Sequence, residues 1–139
     1  MKLLQDLDKL HRFDQEALLF MRIMFAGLLV IDEGWPTLQL FLSGGSEFPD
    51  PLHVGARVTM ALMVFTELMC ATMVTIGLFT RLLCIPIAFG FTVAVFIHHW
   101  PDPFKYKELP SLYWASFIVI AILGPGKYSL DHWFLGKQP

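Results

Sequence analysis

The apolar run Val58–Phe79 contains a single charge, Glu67, near its centre. About 20 helical residues at 1.5 Å each span the ~30 Å hydrocarbon layer of a bilayer, so this run is long enough to cross one. An ionisable side chain at such a depth is costly. It is usually partnered, turned toward protein or water, and often functional. The run therefore predicts a membrane setting and marks Glu67 as the place to look for chemistry, without naming a reaction.

The rest of the composition agrees. Of 139 residues, enough for one domain, 55% are hydrophobic and 16% are charged, where a soluble domain carries about 25%. The mean hydropathy is +0.58. The net charge of −2 gives no reason to expect a nucleic-acid partner. Asn is absent from the chain, which excludes N-glycosylation. Cys70 and Cys84 form no CxxC pair and read as small buried hydrophobes rather than a redox couple. The first sixteen residues mix charges and lack the apolar stretch of a cleavable signal.

These features predict an all-α integral membrane fold: a four-helix antiparallel bundle with a short amphipathic N-terminal helix. Leu3, Leu7, Leu10 and Ala17 recur at helical spacing, with Asp6, Lys9, Arg12 and Glu16 on other faces, which predicts a surface helix over about 2–15. The plainer alternative is a frayed polar terminus. Spans are expected at about 17–33, interrupted by Arg22 and extending helically toward Trp35, and at 57–79, 82–99 and 109–123. Residues 34–55, which hold Pro36, Gly44, Gly45, Pro49 and Pro51, and residues 100–108 read as loops. Thr80-Arg81 reads as a tight turn that makes spans two and three antiparallel neighbours. Trp35, Trp100, Tyr106, Tyr113, Tyr128 and Trp133 fall near span ends, where amphipathic rings favour the interface. Lys2, Lys9, Arg12, Arg81, Lys127 and Lys137 against Arg57, Lys105 and Lys107 place both termini in the cytoplasm by the positive-inside rule, with the other loops facing a periplasm if the membrane is the inner membrane of a Gram-negative bacterium.

Inside the helices, Gly90/Ala94 and Ser111/Ala115 have the small-xxx-small spacing of close backbone contacts. Pro86 is expected in or near the first turn of span three, where a missing donor costs little. Met60 and Met63 share a face with Glu67 and read as gap-fillers. Counting rise per residue puts Glu67, His98, Asp32 and Glu33 at similar heights, about 18–24 Å from the cytoplasmic edge. A polar cluster of Glu67 with His98 or His99, and Asp32 or Glu33 nearby, follows, with Glu108 capping it. Such a cluster suits proton transfer or hydrogen bonding to a quinone-like carbonyl. The alternative is a hydrogen-bonded network that only fixes helix register. Adjacent His98 and His99 point about 100° apart on a helix, so no metal site is assigned. Arg22 is expected to meet Asp131 or a lipid phosphate, with Glu67 as the less favoured partner.

Several stretches together resemble the DoxX family of small four-span bacterial membrane proteins. They are Leu18-Leu19-Phe20-Met21-Arg22-Ile23, Glu67 with Gly77-Leu78-Phe79-Thr80-Arg81, Glu108-Leu109, and Gly124-Pro125-Gly126-Lys127-Tyr128-Ser129-Leu130-Asp131. The resemblance spans residues 16–135 and singles out Arg22, Glu67, Glu108 and Asp131. It implies a link to thiosulfate:quinone oxidoreductase or other redox complexes, and supplies no agreed catalytic residue. The Gly-Pro-Gly reads on its own as a helix stop, with Ser129 or Asp131 capping a short terminal helix that holds Trp133 and Phe134.

The expected function is an accessory subunit of a membrane redox or quinone-linked complex, its polar cluster handling protons or quinone. The alternative is a non-catalytic scaffold or assembly subunit, and a solute or ion pathway ranks third. Expected partners are the lipid bilayer and a membrane protein or a second copy of the chain. Quinone is the one cofactor suggested. No haem or iron–sulfur motif is present, and a self-contained catalytic motif is lacking.

Overall fold

The computed structural model describes residues 1–45 and 47–136, with only the backbone of residues 8 and 10–12. The parts of the surface-helix and charge-bias readings that rest on Leu10, Arg12 and Lys137 lie outside the described residues. The described residues form helices joined by turns, with no strand.

Helix α1 is one continuous rod over residues 2–42. It is α-helical over Lys2–Met21, Gly27–Leu29 and Trp35–Leu42, with wider π-helical turns at Arg22–Ala26 and Val30–Gly34. The expected surface helix and first span are thus a single element. The expected loop at residue 34 begins only after Leu42. Pro36, read as a loop signal, sits in the opening turn of Trp35–Leu42, and the widened turn just before it absorbs the missing donor. Among the residues whose side chains are described, Leu18 is the first buried one, and Leu3, Leu4, Leu7 and Phe13 before it are exposed.

Helix α2 (Ala56–Ile76) and helix α3 (Thr80–His98) are each long and apolar enough to cross a membrane. The turn between them is Gly77–Phe79, not Thr80-Arg81, which are already helical. Gly77 adopts φ +81, and the bonds Leu78 N–H to Met73 O (2.8 Å) and Gly77 N–H to Val74 O (3.0 Å) close α2 with a Schellman motif. Helix α4 spans Phe104–Leu123, starting five residues before the expected fourth span because Pro103 ends the connector and Pro110 is carried inside the helix. Pro86 likewise lies about two turns inside α3 rather than in its first turn. A short helix α5, Leu130–Leu135, follows the Gly124–Gly126 stop.

All four long helices contribute to one core: Ala26 and Leu29 from α1, Cys70 and Val74 from α2, Cys84, Ile87 and Phe91 from α3, Tyr113, Phe117 and Ile120 from α4. The Phe91 and Tyr113 rings stack at 5.2 Å. Tyr113 is therefore a core residue and not an interfacial one, whereas Trp35, Trp100, Tyr106, Tyr128 and Trp133 are exposed. Both cysteines are buried and unbonded to each other. Met60 is fully buried and Met63 half-buried.

The close helix contact is at Gly34. A Cβ placed there would lie 2.6 Å from the Glu67 carbonyl oxygen. The expected small-residue contacts behave differently: a Cβ on Gly90 would meet nothing within 4 Å, and Ala115 is exposed.

Candidate functional site

Glu67 is 5% exposed, in a π-helical stretch of α2, Phe65–Cys70, that crosses α1 at Gly34. The crossing brings Thr37, one turn beyond Glu33 on α1, over the carboxylate, and the Thr37 hydroxyl donates to Glu67 Oε2 at 3.3 Å. Glu33 is half-buried and close enough to Glu67 for their charges to interact. A cavity of about 500 Å³ opens beside them, between α2 and α3. Glu33, Glu67, His98 and His99 line it, and most of the remaining wall is apolar, with Phe48 and Leu52 above and Phe89 and Phe91 along α3. That volume lies within the about 300–1,000 Å³ of small-molecule sites, and a few convergent polar groups in an apolar wall are their usual make-up.

The predicted cluster is thus partly assembled. Glu67, Glu33, His98 and His99 line one cavity, but Glu67 takes its hydrogen bond from Thr37 rather than from a histidine. His99 Nδ1 pairs with Asp102 Oδ2 at 2.8 Å, and the two imidazoles meet edge-on with centroids 4.5 Å apart. Asp32 and Glu108 are both exposed and do not line the cavity. Glu108 sits in the second turn of α4, away from a capping position. Among the described residues no three His, Cys, Asp or Glu side chains are grouped as a metal site.

Thr37, Gly34 and Asp102 were not singled out in the sequence. Glu33 and Thr37 are four apart and share a helix face, a signal usable only if the helix is carried past Pro36. Asp102 stands three residues after His99, within reach of its ring.

The 47–55 segment over the cavity is held by Asp50. Its carboxylate accepts from Gly55 N–H (2.7 Å), Thr59 Oγ1 (2.9 Å) and Val54 N–H (3.1 Å). Partial desolvation pushes the Asp50 carboxyl upward, but these bonds and nearby His53 outweigh it and hold the group below its ordinary value.

The other two family-matched residues lie at the opposite end. Arg22 is 1% exposed and donates to the carbonyls of Pro125, Tyr128 (2.9 Å) and Thr75 (3.3 Å). Asp131 is an electrostatic neighbour of Arg22 but not its direct partner. Its carboxylate instead accepts from the N–H groups of Phe79 (2.7 Å) and Thr80 (3.0 Å), capping α3, while its own N–H donates to Gly77 O at 2.9 Å. A carboxylate suits the positive end of the helix dipole. Ser129 caps α5 by accepting from His132 N–H. Arg22 and Asp131 therefore clamp α1, the α2–α3 turn and the last segment together, remote from the cavity.

Neither a curated protein nor a solved structure matches the chain. A family model described as DoxX matches residues 17–100, which covers Arg22, Glu67 and both histidines but not Glu108 or Asp131. That match takes in more than half of the sequence, and the chain belongs to the DoxX family of membrane proteins.

Proposed function

We propose that this protein is an accessory subunit of a membrane redox or quinone-linked complex, and that the cavity between α2 and α3 receives a quinone headgroup. The observation that carries the reading is the shared lining of one apolar cavity by Glu67 and His98. A carboxylic acid and an imidazole on the wall of one apolar space can hydrogen-bond the carbonyl oxygens of a quinone and exchange protons with it. Electrons come from a partner, because the chain carries no haem or iron–sulfur motif. In this reading all four long helices cross the bacterial inner membrane as an antiparallel bundle with both termini cytoplasmic. The cavity lies in the outer half and the Arg22–Asp131 clamp at the cytoplasmic edge.

The test is purification in gentle detergent from native membranes, with mass spectrometry for partners and extraction for quinones. A stoichiometric redox partner and bound quinone, with quinone lost in Glu67→Gln and His98→Ala, are the expected results. Unchanged quinone content in both variants refutes the assignment of these residues.

A second reading, a non-catalytic scaffold, draws on the Thr37–Glu67 bond at the Gly34 crossing. There Glu67 serves as register glue between α1 and α2. It predicts a stoichiometric partner without quinone, and a Glu67→Gln variant altered in stability alone.

A further inference from the structure

Glycine inside a helix costs about 0.5–1 kcal/mol relative to alanine, so its presence asks for a reason. The usual reasons are a positive φ or the close approach of another backbone. Gly90 has neither: its φ is ordinary for a helix, and an added Cβ would meet nothing within 4 Å. The space it leaves belongs to the cavity. Gly90 lines the chamber of about 500 Å³ together with Glu67, Met63, Thr66 and Phe91.

Leu62 and Phe65 on α2 and Phe89 on α3 line the chamber while remaining 53%, 42% and 61% exposed. They rim a mouth between the two helices that are apolar enough to cross a membrane. The mouth therefore faces the side of the molecule where lipid lies, and a ligand dissolved in the bilayer reaches the chamber without crossing water. Glu33 and Glu67 stand on the chamber wall, where a carboxyl group can hydrogen-bond a neutral carbonyl head. Phe48, Phe89 and Phe91 offer ring surfaces that suit a flat head.

We infer that Gly90 is the specificity-determining residue of this site. By leaving the chamber wall on α3 without a side chain at its position, it admits a flat, neutral, ring-bearing head from the bilayer as far as Glu67, while the apolar tail stays in the mouth among Leu62, Phe65 and Phe89. This rests on the quinone reading and names the residue that sets which heads fit. A leucine at position 90 puts four carbons into the chamber. Alanine leaves most of it open.

The experiment is equilibrium binding of a decyl-tailed benzoquinone to the purified full chain in lipid nanodiscs, for wild type and for Gly90→Ala, Gly90→Val and Gly90→Leu. Nanodiscs without protein correct for partition into lipid. Thermal unfolding is followed in parallel. Affinity is expected to fall stepwise with side-chain size, by at least tenfold at leucine, while the alanine variant unfolds no lower than wild type. If leucine fails to fold, the alanine and valine steps carry the same comparison. Wild-type binding with no dependence on the residue at 90 overturns the role of Gly90 and leaves the quinone reading standing. No binding to wild type overturns both.

Discussion

The crossing of α1 and α2 at Gly34 gives the sharpest quantitative expectation. Replacing Gly34 by alanine puts a methyl group 2.6 Å from the Glu67 carbonyl oxygen, 2.8 Å from its carbon and 3.0 Å from Leu68 N. All three are backbone atoms, so no side chain can swing aside. Ordinary contact begins near 3.4 Å, and the two helices must part locally by the difference, about 0.8 Å. Overpacking of this kind costs about 1–3 kcal/mol, against which the better helix propensity of alanine returns up to about 1 kcal/mol. A net loss of about 1–2 kcal/mol is expected. The Thr37–Glu67 bond, already 3.3 Å long, is lost with the separation. Gly27→Ala is the control on the same rod, since its Cβ would meet Thr75 Cγ2 at a comfortable 3.9 Å. That variant should be neutral or more stable than wild type. Reversible unfolding in mixed micelles, followed by tryptophan fluorescence, measures both. If Gly34→Ala is as stable as Gly27→Ala, α1 and α2 do not cross at Glu67, and the geometry of the cavity wall is wrong.

Two further expectations concern the loop and the clamp. Asp131→Ala removes two charge-assisted bonds to the Phe79 and Thr80 amides, and a loss of about 1–3 kcal/mol is expected, with Asp131→Asn intermediate, in the same unfolding assay. Because the folded carboxyl of Asp50 is held below its ordinary value, its contribution to loop order is fully present above the unfolded value near 4 and is lost only as pH falls through the lower folded one. The Asp50 carboxyl resonance should therefore titrate below that of a model peptide. Asp50→Ala should make the 47–55 segment open to proteolysis at pH 7, and a normal titration with unchanged proteolysis refutes the role given to it.

The helices α2 and α3 were legible in the residues, because each apolar run is long enough to cross a bilayer. The depth count, which rests on the fixed rise per residue, put Glu67 near the height of Glu33 and His98, and those side chains line one cavity. What escaped the sequence was set by tertiary context. Pro36 looked like a loop signal, yet a single widened turn lets the helix run through it, and with that continuation Thr37 reaches Glu67. Gly90 carries the small-xxx-small spacing and Gly34 does not, yet Gly34 faces a backbone and Gly90 faces empty volume. Asp131 was read as a cap for its own helix. It caps a helix fifty residues earlier in the chain, a pairing no local pattern announces.

The Arg22 contacts also bear on the order in which the chain assembles. Two of the carbonyls that receive its guanidinium lie 103 and 106 residues downstream. In the membrane reading proposed above, a nascent chain offers Arg22 only the Thr75 carbonyl until almost all of the remaining helices have been made. During that interval water or lipid headgroups complete its solvation, which in that reading keeps its level of α1 at the membrane surface. The last segment then closes over it as a late, long-range step, and a ribosome stalled before residue 125 leaves a chain with its helices formed but its first rod still unfastened.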